Sequence, residues 1–251
     1  MSKRVFPVAF LLFCILAATA FAAPKPVVYY KFDELGNVVK DYSGNGKDGT
    51  PNGGIKLRDD GKVGKCFEFN GQNSYVDLER VVQDNFTLMA WINTDQPGVQ
   101  LGNQGYQGSG LIWSDVSGVA NDFILAVLGT KLSFFCGNPD LSVNSEKDVV
   151  TGNWVHVAAV RSATEQKISI YIDGKFEKSI DHANKGPLNA QPRIHIGGNT
   201  LDSRYYKGLM DEVNIFDSAL SEQEIQGIMA PAPVDALGKI SATWGMLKSV
   251  Y

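Results

Sequence analysis

Between residues 27 and 216, apolar and polar residues alternate in short runs broken by Gly, Asn and Asp. That pattern predicts many short β-strands. Phe86, Leu88, Ala90 and Ile92 share one face of a strand, and Thr87, Met89 and Trp91 share the other, so that strand is expected to be covered on both sides. Residues 153–160 are apolar on both faces, which places them centrally in a sheet. Ile168, Ile170 and Ile172 mark another inward face. Asp173-Gly174 between 167–172 and 175–180 predicts a two-residue hairpin, and Gly129-Thr130 between 123–128 and 131–135 predicts a second. The polar segments 96–110 and 139–152 read as surface loops. A single helix is expected: Ser221 and Glu224 form a capping box ahead of Ile225 and Ile228, and Pro231 stops it.

The chain has 251 residues, ample for a sizeable core without metal or disulfides to staple it. Its start reads as an export leader. Lys3 and Arg4 precede an apolar run at 8–18, and Ala20-Phe21-Ala22 supplies the small-x-small cleavage pattern. The run is shorter than the ~20 residues that span a bilayer, and no second long apolar stretch exists, so no membrane span is expected. These boundaries give a leader at 1–22, one domain at 23–230, and a linker with an apolar tail at 231–251 containing Ile240, Trp244 and Leu247. The whole chain carries a net charge of −4, and losing Lys3 and Arg4 makes the remainder two units more negative. An acidic surface argues against nucleic acid as a partner. Cys66 and Cys136 belong to no disulfide-dense pattern and are expected to fill strand positions unpaired.

Several segments occur in a fixed order. Tyr30-Lys31-Phe32-Asp33-Glu34 is followed by Asp41-Tyr42-Ser43-Gly44-Asn45-Gly46, then by residues 64–71 (GKCFEFNG), 86–92 (FTLMAWI) and 154–158 (WVHVA). Residues 170–174 (IYIDG), 194–198 (IHIGG) and 208–213 (GLMDEV) continue the series, with Ala219-Leu220-Ser221 at its end. In this order the chain resembles the bacterial laminin-G-like (LamG) domains of the concanavalin A-like lectin/glucanase superfamily. The resemblance implies an all-β, two-sheet antiparallel jelly-roll sandwich with one short helix near the C-terminus, its first and last strands side by side. It also implies a secreted binding module for a glycan or an extracellular protein, with a glycoside hydrolase as the remaining alternative.

The Asp33–Gly49 region is rich in oxygen ligands, and calcium takes six to eight of them. Asp33, Asp41 and Asn45 are the candidate ligands for a structural Ca2+, and the resemblance brings Asp211 to them. Ordinary turn chemistry explains the same residues. Gly44, Gly46 and Gly49 match a dinucleotide-binding fingerprint letter for letter, but Pro51, Gly53 and Gly54 leave no helix to hold a pyrophosphate. Asp77 and Glu79 are the one pair of strand carboxylates two residues apart that could serve a glycosidase, and a solvated strand end is the plainer reading. His156, His182 and His195 lie far apart in the chain and read as structural residues. Saccharide sites combine aromatic rings with fixed polar partners. The densest such mixture is Tyr106, Trp113, Asp115 and Asn121, and Tyr205 and Tyr206 add a second candidate.

Overall fold

The structure is a computed structural model that describes residues 24–229. The leader and tail expectations lie outside these residues. Seventeen strands, one α-helix and a single 3-10 turn at Gly105–Gln107 are described. The first six strands are β1 (Val28–Tyr30), β2 (Thr50–Asn52), β3 (Lys56–Arg58), β4 (Cys66–Asn70), β5 (Tyr75–Glu79) and β6 (Phe86–Asn93). Next come β7 (Ser109–Ser114), β8 (Phe123–Leu128), β9 (Lys131–Cys136), β10 (Leu141–Asp148), β11 (Val155–Ser162) and β12 (Lys167–Ile172). The last are β13 (Lys175–Asp181), β14 (Arg193–Ile196), β15 (Gly198–Asn199), β16 (Arg204–Tyr205) and β17 (Lys207–Phe216), followed by α1 (Glu222–Met229).

They form two sheets. The first runs β13-β12-β11-β6-β17-β4-β3, with β1 also paired to β17, and the second runs β10-β9-β8-β7-β14-β5-β2 with β16 alongside β7. The main ladders are antiparallel, and only the short β16–β7 bridge is parallel. The inward residues of both sheets make one core: Phe86, Leu88, Ala90 and Ile92 from β6 meet Phe123, Leu125 and Val127 from β8. Cys136 lies in that core, Cys66 is buried on β4, and both are free thiols. β1 pairs with β17 through Val28–Ile215, Tyr29–Asn214 and Tyr30–Val213, so opposite ends of the domain are neighbours.

Both hairpins form as their turn residues dictate. Asp173 and Gly174 take φ of 51° and 71°, and Gly129 takes φ of 60°. Ser221 and Glu224 cap α1 reciprocally: Glu224 N donates to Ser221 Oγ at 3.3 Å, and Ser221 N donates to Glu224 Oε2 at 2.8 Å. The helix lies on the outer face of the first sheet, where Ile225 and Leu220 bury Met89, Ala158, Val160 and Phe216. β6 is therefore covered on both sides there.

The segment 139–152 is not the surface loop its polarity suggests, because it carries β10. That strand pairs only with β9, through Leu141–Cys136 to Asn144–Ser133. An edge strand keeps polar side chains on its free side and buries alternate positions, here Val143 and Ser145.

Candidate functional site

Strand register builds a single row across the outer face of the second sheet. Ser142 on β10 lies opposite Phe135, Phe135 opposite Ile124, and Ile124 opposite Trp113. Trp113 lies opposite His195, His195 opposite Asp77, and Asp77 opposite Thr50. Directly paired residues point to the same side of a sheet, so these seven side chains share one surface. Its apolar half, Trp113, Ile124, Ala126 and Phe135, would be costly to leave in water, and the 96–108 segment folds over it. Tyr106 stands edge-on to Phe135 with ring centroids 5.2 Å apart. Gly105 N donates to Ser142 Oγ at 2.9 Å and Asn144 Nδ2 donates to Asn103 O at 2.9 Å, pinning the segment to β10.

Beside Tyr106 opens a cleft of about 310 Å3, walled by Tyr106, Asp115, Val119, Asp140, Leu201 and Asp202. Val119 and Leu201 are 74% and 49% exposed, so the cleft offers apolar lips over an acidic floor. Asp115 is buried beside the buried Asp122. Burial first, and the Asp122 carboxyl second, push Asp115 up to about 9. Burial raises Asp122 as well. Oδ2 of Asp122 accepts from Val116 N at 3.2 Å, whereas its buried Oδ1 takes no hydrogen bond among the described residues. The two carboxyls therefore share a proton near neutrality. Asp202 is ion-paired with Arg204 at the cleft edge.

Of the six residues expected at a ligand, the structure brings Tyr106 and Asp115 to this cleft. Trp113 is 1% exposed and lies beneath it, packed with Phe135. Asn121 is a scaffold, accepting at Oδ1 from Asn138 and Asn184 at 3.0 and 3.1 Å. Tyr206 is a core residue whose hydroxyl donates to Leu209 O at 3.0 Å. Tyr205 is half-buried further along the same sheet face, 6.4 Å from Tyr75. Gly198 makes room for it, since a Cβ there would sit 2.2 Å from the Tyr205 ring. Val119, Asp140, Leu201 and Asp202 were missed, having no pattern beyond exposed loop composition.

The four residues singled out for calcium divide between two turns. Asp41 accepts at Oδ1 from Tyr29 N and Ser43 N at 3.0 and 2.9 Å, and at Oδ2 from Ser43 Oγ and Lys47 N at 2.7 and 3.0 Å. Burial works to raise its pKa, but these donors hold it below the ordinary carboxylate range. Asn45 spends its amide on Pro26 O and Val27 O. Asp33 and Asp211 instead hold the 62–65 turn, accepting from Lys65 N at 2.8 Å and Val63 N at 2.9 Å. Asp211 is fully buried, and burial lifts it to about 7 against the pull of backbone N–H groups. Among the described residues, no three His, Cys, Asp or Glu side chains gather in metal-holding geometry. These four residues do not fit one calcium ion.

Asp77 is engaged by Arg193, with Nε–Oδ1 at 2.9 Å and Nη2–Oδ2 at 2.5 Å, and by His195 Nε2 at 3.3 Å. Glu79 is exposed and reaches Lys47 at 3.5 Å. His156 packs against Trp91 under Lys62, and burial drops it to about 3. His182 Nε2 sits 3.1 Å from Cys136 O and 3.0 Å from Pro139 O. No helix among the described residues is long and apolar enough to cross a membrane.

Solved structures share this architecture. Domain 4 of AbnA, a GH43 extracellular arabinanase from Geobacillus stearothermophilus solved with arabinotriose, is 23% identical. It matches 83% of this chain and all of that domain, with a TM-score of 0.67. The binding domain of Paraclostridial Mosquitocidal Protein 1 is 16% identical, and the match covers 81% of this chain and 51% of that one, with a TM-score of 0.61. The binding domain of botulinum neurotoxin DC, solved with rat synaptotagmin II, is 15% identical over the same shares, again at 0.61. The chain thus spans about half the length of these toxin binding domains. At such identities the likeness is one of fold. No curated protein matches the chain in sequence. The family model Laminin_G_3 matches residues 70–226, more than half of the chain, and the protein belongs to that family of the concanavalin A-like lectin/glucanases superfamily.

Proposed function

We propose that this protein is an exported, non-catalytic carbohydrate-binding module that holds a saccharide in the Tyr106–Leu201 cleft. The observation that carries the reading is the pairing of apolar lips with an acidic floor in one open cleft. The Tyr106 ring and Leu201 suit the C–H faces of a sugar, while Asp140, Asp202 and the protonated Asp115 offer fixed partners to its hydroxyls. The arabinanase domain solved with arabinotriose and a botulinum neurotoxin DC binding domain solved with SialylT support a glycan as the ligand class. Export rests on the leader pattern at residues 3–22.

The carboxyls are poorly arranged for hydrolysis. Asp115 and Asp122 are both buried, and burial raises both carboxyls, so neither stands ready as the ionised nucleophile of a retaining pair. Asp77 is bound to Arg193. Chromogenic glycosides are therefore expected to show no turnover, and turnover lost in Asp77→Asn would overturn the non-catalytic reading.

The direct test is binding to immobilised trisaccharides of arabinose, xylose, glucose, mannose and galactose, together with sialyl-T. Wild type is expected to bind at least one with micromolar to millimolar affinity, and Tyr106→Ala to weaken that binding at least tenfold while a cooperative thermal transition is kept. Binding that survives Tyr106→Ala would move the ligand away from the cleft.

A protein partner is the second reading. It is favoured by Leu35, Val38 and Tyr42, which stand exposed on the segment after β1. Under it, Leu35→Ser with Val38→Ser would abolish partner capture and leave trisaccharide binding intact.

A further inference from the structure

The row that floors the cleft continues past it. Beyond Trp113 the paired residues turn polar, from His195 to Asp77 to Thr50, and the 199–205 segment covers His195 in part while Asp77 and Thr50 reach the surface. Tyr75 and Arg193 flank this polar half, each two residues from a member of the row and so on the same face. Tyr75 stands edge-on to His195 with centroids 5.2 Å apart. Tyr205 leans toward it from β16 at 6.4 Å, with ring planes 34° apart. Each of these aromatic and polar side chains is only partly buried.

We infer that Tyr75, Tyr205, Asp77, Arg193 and His195 form a second saccharide subsite, so that one oligosaccharide lies across the sheet on both sides of the 199–205 segment. The inference rests on the saccharide reading of the cleft and adds the ligand's length and direction. Three features carry it. The first is a pair of partly exposed aromatic rings beside fixed hydrogen-bonding groups, the combination a sugar ring requires. The second is preorganisation. Arg193 Nε and Nη2 donate to the two oxygens of Asp77, so each side chain is held in place by the other before any ligand arrives. His195 is fixed at its other nitrogen by Thr200 Oγ1 at 3.1 Å. The third is continuity. The strand holding Tyr205 directly follows the turn that sends Leu201 and Asp202 into the cleft, so one segment lines both places. Phe135 and Asp77 are four strand steps apart, about 19 Å at the usual strand spacing, a distance suited to a chain of sugars more than to one ring. The paired charges cancel within the subsite, which favours a neutral oligosaccharide over a polyanion.

The experiment compares tri- and hexasaccharides of arabinose, xylose, glucose, mannose and galactose by titration calorimetry on the full chain. Wild type is expected to bind the hexasaccharide of its preferred sugar about tenfold more tightly than the trisaccharide, a gain of about 1.4 kcal/mol. Tyr75→Ala with Tyr205→Ala should erase that gain and leave trisaccharide affinity unchanged. Tyr75→Phe with Tyr205→Phe, which keep the rings, should preserve it. A melting temperature within a degree or two of wild type confirms that the alanine pair still folds. Equal affinity for both lengths, or a length gain untouched by the alanine pair, overturns the second subsite while leaving the cleft in place. No binding of either length by wild type overturns the cleft reading and this one with it.

Discussion

A carboxyl pair in a dry pocket keeps a proton that two solvated acids would release, and Asp115 with Asp122 is such a pair. Asp115, raised to about 9 when folded, returns to roughly 4 when unfolded. Its contribution to stability is fully present below about pH 4 and is lost as pH climbs toward 9. Asp211, lifted to about 7, has the same sign and finishes earlier. Asp41 has the opposite sign. Its pKa is depressed, so the stability it gives is present at neutral pH and fades in acid. Thermal unfolding followed by circular dichroism should therefore show a melting temperature that falls between pH 5 and 9. Asp115→Asn, whose amide can donate permanently to Asp122, should flatten the fall above pH 7. An undiminished slope in that variant would mean that the pair holds no proton. At this scale the sequence was legible where chemistry is local. Asp41 organises its own turn, as Asp-x-Ser-Gly-Asn composition suggests. It was not legible where parity decides: Tyr205 and Tyr206 are adjacent, one facing the sheet surface and the other the core, and composition treats them alike.

The helix shows how far a short element can be read in advance. Ser221, Glu224, Ile225 and Ile228 announced its start and its buried side, but not that it would lie on Met89 and Phe216. Ser221→Ala removes the cap and is expected to cost about 1 kcal/mol. Ile225→Ala opens a cavity beneath the helix and should cost about 3 kcal/mol. Urea unfolding measures both, and a cost below 1 kcal/mol for Ile225→Ala would mean that the helix is not seated on the sheet. The hairpins at 129–130 and 173–174 were equally legible because positive φ leaves few residue choices. β10 was not, because an edge strand with one neighbour resembles a polar loop until its partner is known. The calcium quartet is divided between two turns for a related reason. Oxygen-rich composition marks turns, but only the structure tells which N–H groups have already claimed those oxygens.

Across the whole molecule, distance along the chain and distance in space part company, and both proposed binding surfaces depend on that. Trp113, His195 and Asp77 come into line only because β14 inserts between β7 and β5. No local pattern carries such a register. The same holds for β17, which reaches β6 on one side and both β4 and β1 on the other. Its removal would strand three partners at the middle of the first sheet, whereas removal of α1 would uncover one side of that sheet and break no ladder. A chain ended before Lys207 should consequently show no cooperative urea transition by tryptophan fluorescence. A chain ended before Glu222 should keep one, at a lower midpoint. This contrast also separates sites from scaffold: the shorter chain should lose glycan binding entirely, while the one ended before Glu222 should keep it, because α1 lies on the sheet opposite the Tyr106 cleft. A cooperative transition in the chain ended before Lys207 would show that the first sheet can close without its last strand, and the pairing of β1 with β17 would then be a consequence of folding and not its requirement.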